Sequence, residues 1–425
     1  MTKINALHIG IDLGTSGVRA CVINNNKALL HTCKTPIPSP IRQGNAITQD
    51  ANLWWHATNK VLRDLFSKIN VKNVKAISVN GTSGTVLLCD EQGKPVAPAR
   101  MYNDGFCTEQ AALIKSIAPA ETAAHGTSSG LAKLLYLQPL YPQARHLLHQ
   151  ADWIVGKLCG RFDISDENNA LKTGYDPQAS KWPDWLNDLN VNMDLLPEVV
   201  APGTCIAHVS KSLFGLNADC QIVSGTTDSI AAFIATGANK PGDAVTSLGS
   251  TLVLKVVSDK PVTALEFGIY SHKLGDYWLA GGASNSGGAV LERYFDSAQI
   301  NQLSDSLKPE EPTGFDYYPL LQAGERFPVN DAQLQPRLEP KADTELKFFQ
   351  AILEGISRIE LDGYNKLHKL GAPFPLQVET TGGGSKNKAW CQIRELALGV
   401  EVKQAEYSEA CYGSALLARA GFNNS

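Results

Sequence analysis

Acidic and hydroxyl side chains stand directly after the first apolar run of the chain. The run Leu7 to Ile11 predicts a buried strand, and Asp12, Thr15 and Ser16 follow it among glycines that permit a sharp turn. Hydroxyls and main-chain amides bind phosphate oxygens at close range, and a carboxylate can hold hydrated Mg²⁺. The turn therefore suits a metal-bound polyphosphate, although a hairpin whose polar side chains satisfy only their own turn fits the same residues.

A second acidic residue follows another predicted strand. Asp228 ends the segment Gln221 to Asp228 and opens a small-residue helix, Ser229 to Gly237. An aspartate at this place can be the N-cap of the helix, which contributes about 1 kcal/mol to stability. It can also be a general base that accepts the proton of an incoming substrate hydroxyl.

Two further glycine-rich turns lie in the second half of the chain. Gly249, Ser250 and Thr251 repeat the strand, turn and strand pattern of the first turn, which indicates a duplicated fold with a nucleotide in the cleft between the halves. Gly382 to Gly384 lie between a predicted strand and a predicted helix. Three glycines let the backbone approach a flat ligand, and the helix start offers free amides. A tight strand-to-helix turn is the plainer interpretation.

Polar side chains also end two strands of the first half. Thr82 and Ser83 follow the predicted strand Val74 to Val79, and Asn103 and Asp104 follow a later one. Such side chains suit a polyhydroxy ligand, because each sugar hydroxyl needs a donor or an acceptor. Ordinary turn chemistry is the alternative interpretation.

The composition limits the class of protein. The chain has 425 residues, 43% of them apolar and 19% charged, which predicts a globular protein of two or three domains. The net charge of -4 and the lack of a basic block argue against a nucleic-acid partner. Nine scattered cysteines without C-x-x-C spacing, no signal peptide and no apolar run of membrane length predict a cytoplasmic protein with reduced thiols and no membrane partner.

The order of the predicted elements favours an α/β fold. Three strands come first, then a helix over Asn52 to Ile69, then the strand over Val74 to Val79. The sequence contains neither G-x-G-x-x-G nor G-x-x-x-x-G-K-[ST], so two common nucleotide motifs are absent. Further helices are predicted over Ser128 to Leu140, Leu147 to Leu158, Phe348 to Leu370, Ala389 to Leu398 and Ser408 to Ala420, and a polar loop over Asp163 to Asn169.

The motifs together resemble a known family. Their order, DLGTSGVR, NGTSGT, YNDG, GTTDS, TSLGST and TGGGSKNKAW, resembles the FGGY carbohydrate kinases of the actin-like ATPase superfamily, most closely the short ketopentose kinases. The resemblance spans about the whole chain. It implies an α/β fold of two RNase H-like (actin/hexokinase-like ATPase) domains, with a sugar-binding domain over 1–228 and a nucleotide-binding domain over 229–425. ATP, Mg²⁺ and the sugar would bind in the interdomain cleft.

The resemblance also implies roles for individual residues. Asp228 would be the general base and would contact the sugar, and Asp12 would be a metal ligand on the sugar side. The other residues implied at the sugar are Thr82, Ser83, Asn103 and Asp104. The residues implied at ATP are Thr15, Ser16, Arg19, Gly249, Ser250, Thr251, Gly383, Gly384 and Asn387.

The identity of the sugar depends on departures from the family pattern. Xylulose kinases usually carry Gln-Met-His where this chain has Thr82, Ser83 and Gly84, so D-ribulose is predicted first and D-xylulose next. The expected partners are small molecules alone, and the expected state is a monomer or a homodimer. Two alternatives stay open: an actin-like ATPase module that needs no sugar, and a catalytically silent sugar-binding relative.

Overall fold

The structure is a computed structural model that describes residues 6–210 and 213–424. The chain forms two compact units. The first contains the chain through Ala235 together with the segment from Glu409 onward, and the second is Thr236–Ser408. The predicted division into 1–228 and 229–425 assigns a ligand to each part, and that assignment stays a prediction.

The elements are numbered along the whole chain. The strands of the first unit are β1 (Leu7–Gly14), β2 (Gly17–Asn24), β3 (Leu29–Pro36), β4 (Ile41–Gln43), β5 (Ala46–Gln49), β6 (Val74–Gly81), β7 (Val86–Cys89), β8 (Ala99–Arg100), β9 (His146–His149), β10 (Ile164–Asp166), β11 (Glu198–Val200), β12 (Cys205–His208) and β13 (Gln221–Val223). The strands of the second unit are β14 (Asp243–Leu248), β15 (Leu252–Ser258), β16 (His272–Leu274), β17 (Tyr277–Ser284), β18 (Gln377–Thr381) and β19 (Glu401–Gln404). The helices are α1 (Ala51–Phe66), α2 (Thr108–Ile117), α3 (Gly130–Leu137), α4 (Gln150–Cys159), α5 (Glu167–Ala170), α6 (Trp185–Asp188), α7 (Asp228–Ala235), α8 (Gly288–Tyr294), α9 (Ser297–Ser304), α10 (Glu345–Lys369), α11 (Lys388–Leu398) and α12 (Ala410–Asn424).

The main sheet of the first unit has the order β12-β13-β6-β1-β2-β3. β1, β2 and β3 are antiparallel neighbours, whereas β6 is parallel to both β1 and β13. The continuous apolar run of β1 is explained by cover on both faces of the sheet. Ile9 and Ile11 belong to the same core as Trp54 of α1. On the other face a Cβ at Gly10 would lie 1.9 Å from the carbonyl oxygen of Cys411, so α12 packs directly on the strand.

The sheet of the second unit repeats this topology. Its order is β16-β17-β15-β14-β18-β19, with β17, β15 and β14 antiparallel and with β14, β18 and β19 parallel. In the first unit, β3, β2 and β1 are likewise antiparallel and β1, β6 and β13 are likewise parallel, so the strand directions match along the two sheets. The predicted α/β fold with a duplicated unit is confirmed.

Two local predictions in the first unit are wrong. The segment from Leu147 begins as strand β9 and becomes helical only at Gln150. The polar loop predicted over Asp163 to Asn169 instead forms β10 and α5, and most of it is buried. The reason is capping: the Asp166 carboxylate accepts from the main-chain nitrogens of Asn168 and Asn169, so the polar residues start a helix.

The cysteines and the apolar character of the helices were both subjects of the sequence analysis. All nine cysteines are free. Over residues 6–210 and 213–424, none of the helices has both the length and the apolar character needed to cross a membrane.

Candidate active site

The predicted catalytic residues lie at one edge of the main sheet of the first unit. Asp12 pairs in register with Asn80 of β6, and Gly81 at the end of β6 pairs with Thr227, next to Asp228. Because β1, β6 and β13 are parallel, their carboxyl ends meet at this edge, which is where α/β sheets bind ligands.

Asp12 is buried, and its surroundings disfavour its negative charge. Only 4% of the residue is exposed. Burial, together with the negative charge of Asp228, raises the pKa of Asp12 to about 7, although Arg19 lowers it. The Arg19 guanidinium lies 3.4 Å from Asp12 Oδ2 and also 3.8 Å from Glu409 Oε2. Two carboxylates that disfavour each other's charge form a site that a hard cation would stabilise.

Asp228 is half-buried, and the structure does not support a capping function for it. The carbonyl of Thr227 accepts from the main-chain nitrogens of Ile230 and Ala231 at 3.1 and 2.9 Å, so Thr227 occupies the cap position. Asp228 is the first residue inside α7, and its Oδ1 accepts from the nitrogen of Ser229 at 2.6 Å. The carboxylate is therefore held at the strand-to-helix junction without being the N-cap.

The first hydroxyl turn is a two-residue hairpin loop. Thr15 and Ser16 connect β1 and β2 through the Gly14–Gly17 pair. Thr15 is half-buried, and both Ser16 and Arg19 are exposed. A Cβ at Gly17 would lie 2.7 Å from the Thr35 carbonyl oxygen, so this glycine is required by the packing of β3.

Thr82 is embedded in a hydrogen-bond network. Gln150 Oε1 accepts from the Thr82 main-chain nitrogen at 3.0 Å and from its hydroxyl at 2.8 Å. The Thr82 hydroxyl also lies 2.6 Å from that of Thr85, which accepts from the nitrogen of Tyr102 at 2.9 Å. Ser83 is half-buried, and its hydroxyl is buried without a hydrogen-bond partner. Of Thr82 and Ser83, only Ser83 therefore has a hydroxyl without a hydrogen-bond partner in the described part of the protein.

Asn103 and Asp104 differ in their surroundings. Asn103 is exposed. Asp104 is fully buried, and its Oδ2 accepts from the nitrogen of Ile47 at 2.8 Å and from Arg100 at 2.9 Å. The Arg100 guanidinium in turn lies over the rings of Phe106 and Tyr136. Asp104 thus fixes the segment that carries Asn103, and its own contact with a sugar stays a prediction.

Lys133 joins the two predicted sugar-binding segments. Its Nζ is buried and donates to the carbonyls of Gly84 and Met101, both at 2.7 Å, and of Ser128 at 2.8 Å. Burial lowers the pKa of Lys133 to about 7, and the nearby Asp104 carboxylate raises it. The ammonium form satisfies all three carbonyls, because it has three N–H donors.

A cavity of about 790 Å³ lies in the second unit. Its volume is within the range of small-molecule sites. It brings together five of the residues predicted at ATP, namely Gly249, Ser250, Gly383, Gly384 and Asn387. Thr251 is in the same turn as Ser250 but is not among the lining residues. Sequence reasoning missed Glu292, Asn301, Ser304 and Asp305 in the wall of the cavity, since they come from α8, α9 and the α9 C-terminus.

The three consecutive glycines have different functions. Gly382 has φ +82, and a Cβ there would lie 2.5 Å from the Leu248 carbonyl oxygen. A Cβ at Gly384 would lie 2.7 Å from Trp390 Cζ3 and 2.8 Å from Leu248 Cβ, so this glycine permits internal packing. A Cβ at Gly383 would meet no atom within 4 Å. Of the three glycines, only Gly383 has open space at its Cβ position, and it is also one of the residues that line the cavity.

Asn387 is held by protein contacts. Its Oδ1 accepts from the nitrogen of Trp390 at 3.0 Å, which caps α11, and its Nδ2 donates to Ser304 Oγ at 2.8 Å. The residue therefore links α11 to α9 in the wall of the cavity.

A buried ion pair lies behind the cavity. Arg394 of α11 forms a bidentate contact with Glu360 of α10 at 2.6 and 2.7 Å, and both side chains are fully buried. Arg394 also donates to Thr380 Oγ1 of β18 at 2.7 Å, and the hydroxyl of Thr246 of β14 donates to Glu360. The network thus fixes the two strands that lead to the turns at Gly249 and Gly383. Composition and periodicity contain no signal for this pairing.

The protein is a duplicated α/β unit with carboxylates at the strand ends of one copy and a cavity of small-molecule size in the other. Residues 7–235 match the model of the N-terminal domain of the FGGY family of carbohydrate kinases, and residues 244–421 match that of its C-terminal domain. The chain belongs to this family and is an ATP-dependent carbohydrate kinase.

Relatives and solved structures agree with this membership. The xylulose kinase of Escherichia coli (strain K12) is 26% identical over 94% of this chain and 86% of that protein. The gluconokinase of Bacillus subtilis (strain 168) is 22% identical over 96% of this chain and 86% of that protein. The structure of a xyloylose kinase from Brucella ovis has a TM-score of 0.87 at 23% identity, and covers 99% of this chain and 91% of that one. The structural likeness establishes the fold.

Proposed function

We propose that this kinase transfers the γ-phosphate of ATP to a terminal hydroxyl of a ketopentose, with D-ribulose as the first candidate and D-xylulose as the next. The observation that carries the proposal is the pair Asp12 and Asp228 at the strand ends of the first unit, where the charge of Asp228 raises the pKa of Asp12. Thr82 and Ser83 follow the neighbouring strand β6, with the Ser83 hydroxyl unengaged. Xylulose kinases among the relatives support a ketopentose.

The residues of this chain supply positioning and charge, which are what phosphoryl transfer requires of a protein. Asp228 accepts the proton of the attacking hydroxyl. Asp12 fits Mg²⁺, because that ion is bound in such sites by one or two carboxylates together with substrate phosphates and water. When bound, Mg²⁺ neutralises charge on the transferred phosphate. Thr15 and Ser16 of the first hairpin loop and Arg19 of β2 supply donors for that phosphate.

The second unit supplies the nucleotide site. Gly249, Ser250 and Thr251 bind the inner phosphates through the turn between β14 and β15. Gly383, Gly384 and Asn387 lie near the adenosine. The cavity of about 790 Å³ supports this assignment, since it contains five of these six residues.

A comparison of sugars tests the substrate class. The wild-type kinase should phosphorylate D-ribulose and D-xylulose, whereas kcat/KM for glycerol should be lower by about 10²-fold or more, because a short polyol leaves polar groups of the site unpaired. A coupled ADP-release assay with each sugar measures this. ATP hydrolysis that is unaffected by any ketose would support the sugar-independent ATPase instead, and glycerol turnover equal to that of the pentuloses would contradict the ketopentose assignment.

A substitution at Gly383 tests the nucleotide site. Gly383→Val should raise the KM for ATP about tenfold or more and leave the KM for ketose unchanged, because it adds a side chain to a residue that lines the cavity without overpacking the protein. Steady-state kinetics with each substrate varied in turn measures the split.

The neighbouring glycine provides the matched control. Gly384→Ala should lower stability by about 1–3 kcal/mol, because the added methyl group overpacks Leu248 and Trp390. An unchanged KM for ATP in a folded Gly383→Val protein would contradict the proposal that adenosine binds at this turn.

A further inference from the structure

Three of the polar side-chain atoms of the first unit that are buried without a hydrogen-bond partner lie on neighbouring segments. Among the described residues, they are Ser83 Oγ, Gln150 Nε2 and Thr227 Oγ1. Ser83 follows the end of β6, Thr227 pairs with Gly81 at that end and precedes Asp228, and Gln150 begins α4. Buried polar groups are nearly always paired in folded proteins, so a local concentration of unpaired ones needs a specific explanation.

The contacts of Gln150 tie it to the predicted sugar-binding segment. Its side chain is fully buried, and its Oε1 accepts from the main-chain nitrogen of Thr82 at 3.0 Å and from the Thr82 hydroxyl at 2.8 Å. A main-chain N–H can only donate, so this contact determines which end of the carboxamide is the oxygen. The other end, Nε2, has two N–H groups next to the Thr82–Ser83 turn.

The three unpaired atoms have complementary chemistry. Gln150 Nε2 can only donate, and the hydroxyls of Ser83 and Thr227 can donate or accept. Each hydroxyl of a ketose both donates and accepts, so a polyol can pair with such a set.

We propose that Gln150 is a specificity-determining residue that contacts the substrate and donates a hydrogen bond from Nε2 to a hydroxyl of the ketose. This inference rests on the proposed ketose kinase function and adds a residue to its sugar site. Gln150 thereby has two functions: its side-chain oxygen orients Thr82, and its side-chain nitrogen donates a hydrogen bond to the substrate.

Kinetics of a Gln150→Leu protein test the contact. The KM for D-ribulose or D-xylulose should rise about tenfold, which corresponds to the loss of one hydrogen bond, while the KM for ATP stays at the wild-type value. Preference for ketopentose over glycerol should fall by the same factor, because glycerol offers fewer hydroxyls to the missing donor.

Gln49 provides a matched control in the same unit. It is also buried, but both ends of its carboxamide are paired: Nε2 donates to the Pro38 carbonyl at 2.7 Å and Oε1 accepts from the Trp54 indole at 2.7 Å. Gln49→Leu should therefore lower the unfolding temperature and leave the KM for ketose unchanged.

A Gln150→Glu protein separates the two functions of the side chain. Ionised glutamate keeps an acceptor for Thr82 and has no donor, so at a pH that ionises the buried carboxyl the KM for ketose should rise like that of Gln150→Leu. This variant decides the question if Gln150→Leu does not fold. A wild-type KM in Gln150→Glu would overturn the proposal and leave Gln150 as a positioning residue for Thr82 only. A wild-type protein that phosphorylates no ketose would overturn the proposed function and this contact together.

Discussion

Asp228→Asn should lower kcat for ketose phosphorylation by about 10²–10⁴-fold without lowering stability. The amide keeps the shape of the side chain and an oxygen for the Ser229 nitrogen, but it cannot accept the hydroxyl proton. The free energy of unfolding should stay level or increase, because the substitution removes a negative charge that acts on the buried Asp12 carboxyl. A coupled kinase assay and urea unfolding on the same preparation measure the two quantities.

The stability measurement distinguishes a catalytic function of Asp228 from a structural one. An N-cap aspartate would contribute about 1 kcal/mol and nothing to chemistry, but Thr227 occupies the cap position of α7. Ser229→Ala is a suitable control, since this exposed neighbour keeps the main-chain nitrogen that Asp228 accepts from. Turnover of Asp228→Asn close to the wild-type rate at saturating ketose would show that the carboxylate is not the base.

The sequence could predict the elements whose signals are local. The hairpin of β1 and β2, the helix α1 and the strand β6 each follow from an apolar pattern bounded by glycine or polar residues. The duplication followed from the repeat of a hydroxyl turn between two strands. These signals are contained in windows of about twenty residues or fewer, so no knowledge of tertiary contacts was needed.

The parts of the site that depend on distant contacts could not be predicted. Asn80 is oriented by Ala410 and Ser414 of α12, more than 300 positions away. Lys133 donates to three carbonyls that come from separate segments of the chain, Gly84, Met101 and Ser128. The helix over this segment was predicted to begin at Leu147, whereas α4 begins at Gln150, and the contact of the Gln150 side chain with Thr82 joins residues 68 positions apart.

The glycine turn illustrates a different limit. Gly383 and Gly384 look alike in sequence, because a missing side chain can serve a ligand or a neighbouring residue. Only the positions of Leu248 and Trp390 show that Gly384 serves packing. A substitution at Gly384 would measure overpacking, so Gly383 is the position that tests the nucleotide site.

The buried ion pair of the second unit should have the largest effect on stability. Arg394→Met should cost about 3–5 kcal/mol, because it leaves the fully buried Glu360 carboxylate without its partner. The double variant Glu360→Leu, Arg394→Met should recover much of that loss, since no buried charge remains. Urea unfolding of the wild type, both single variants and the double variant measures the coupling.

The position of the pair adds a kinetic consequence. Thr246 and Thr380 connect the pair to β14 and β18, and the Gly249 and Gly383 turns follow those strands. Arg394→Met should therefore raise the KM for ATP more than the KM for ketose. The double variant should keep that defect, because it restores charge balance but not the contact with Thr380.

Lys347→Met removes an exposed pair with Asp343 in the same unit and should change stability by less than about 1 kcal/mol. Equal unfolding midpoints for Arg394→Met and Lys347→Met would mean that the buried pair does not stabilise this unit.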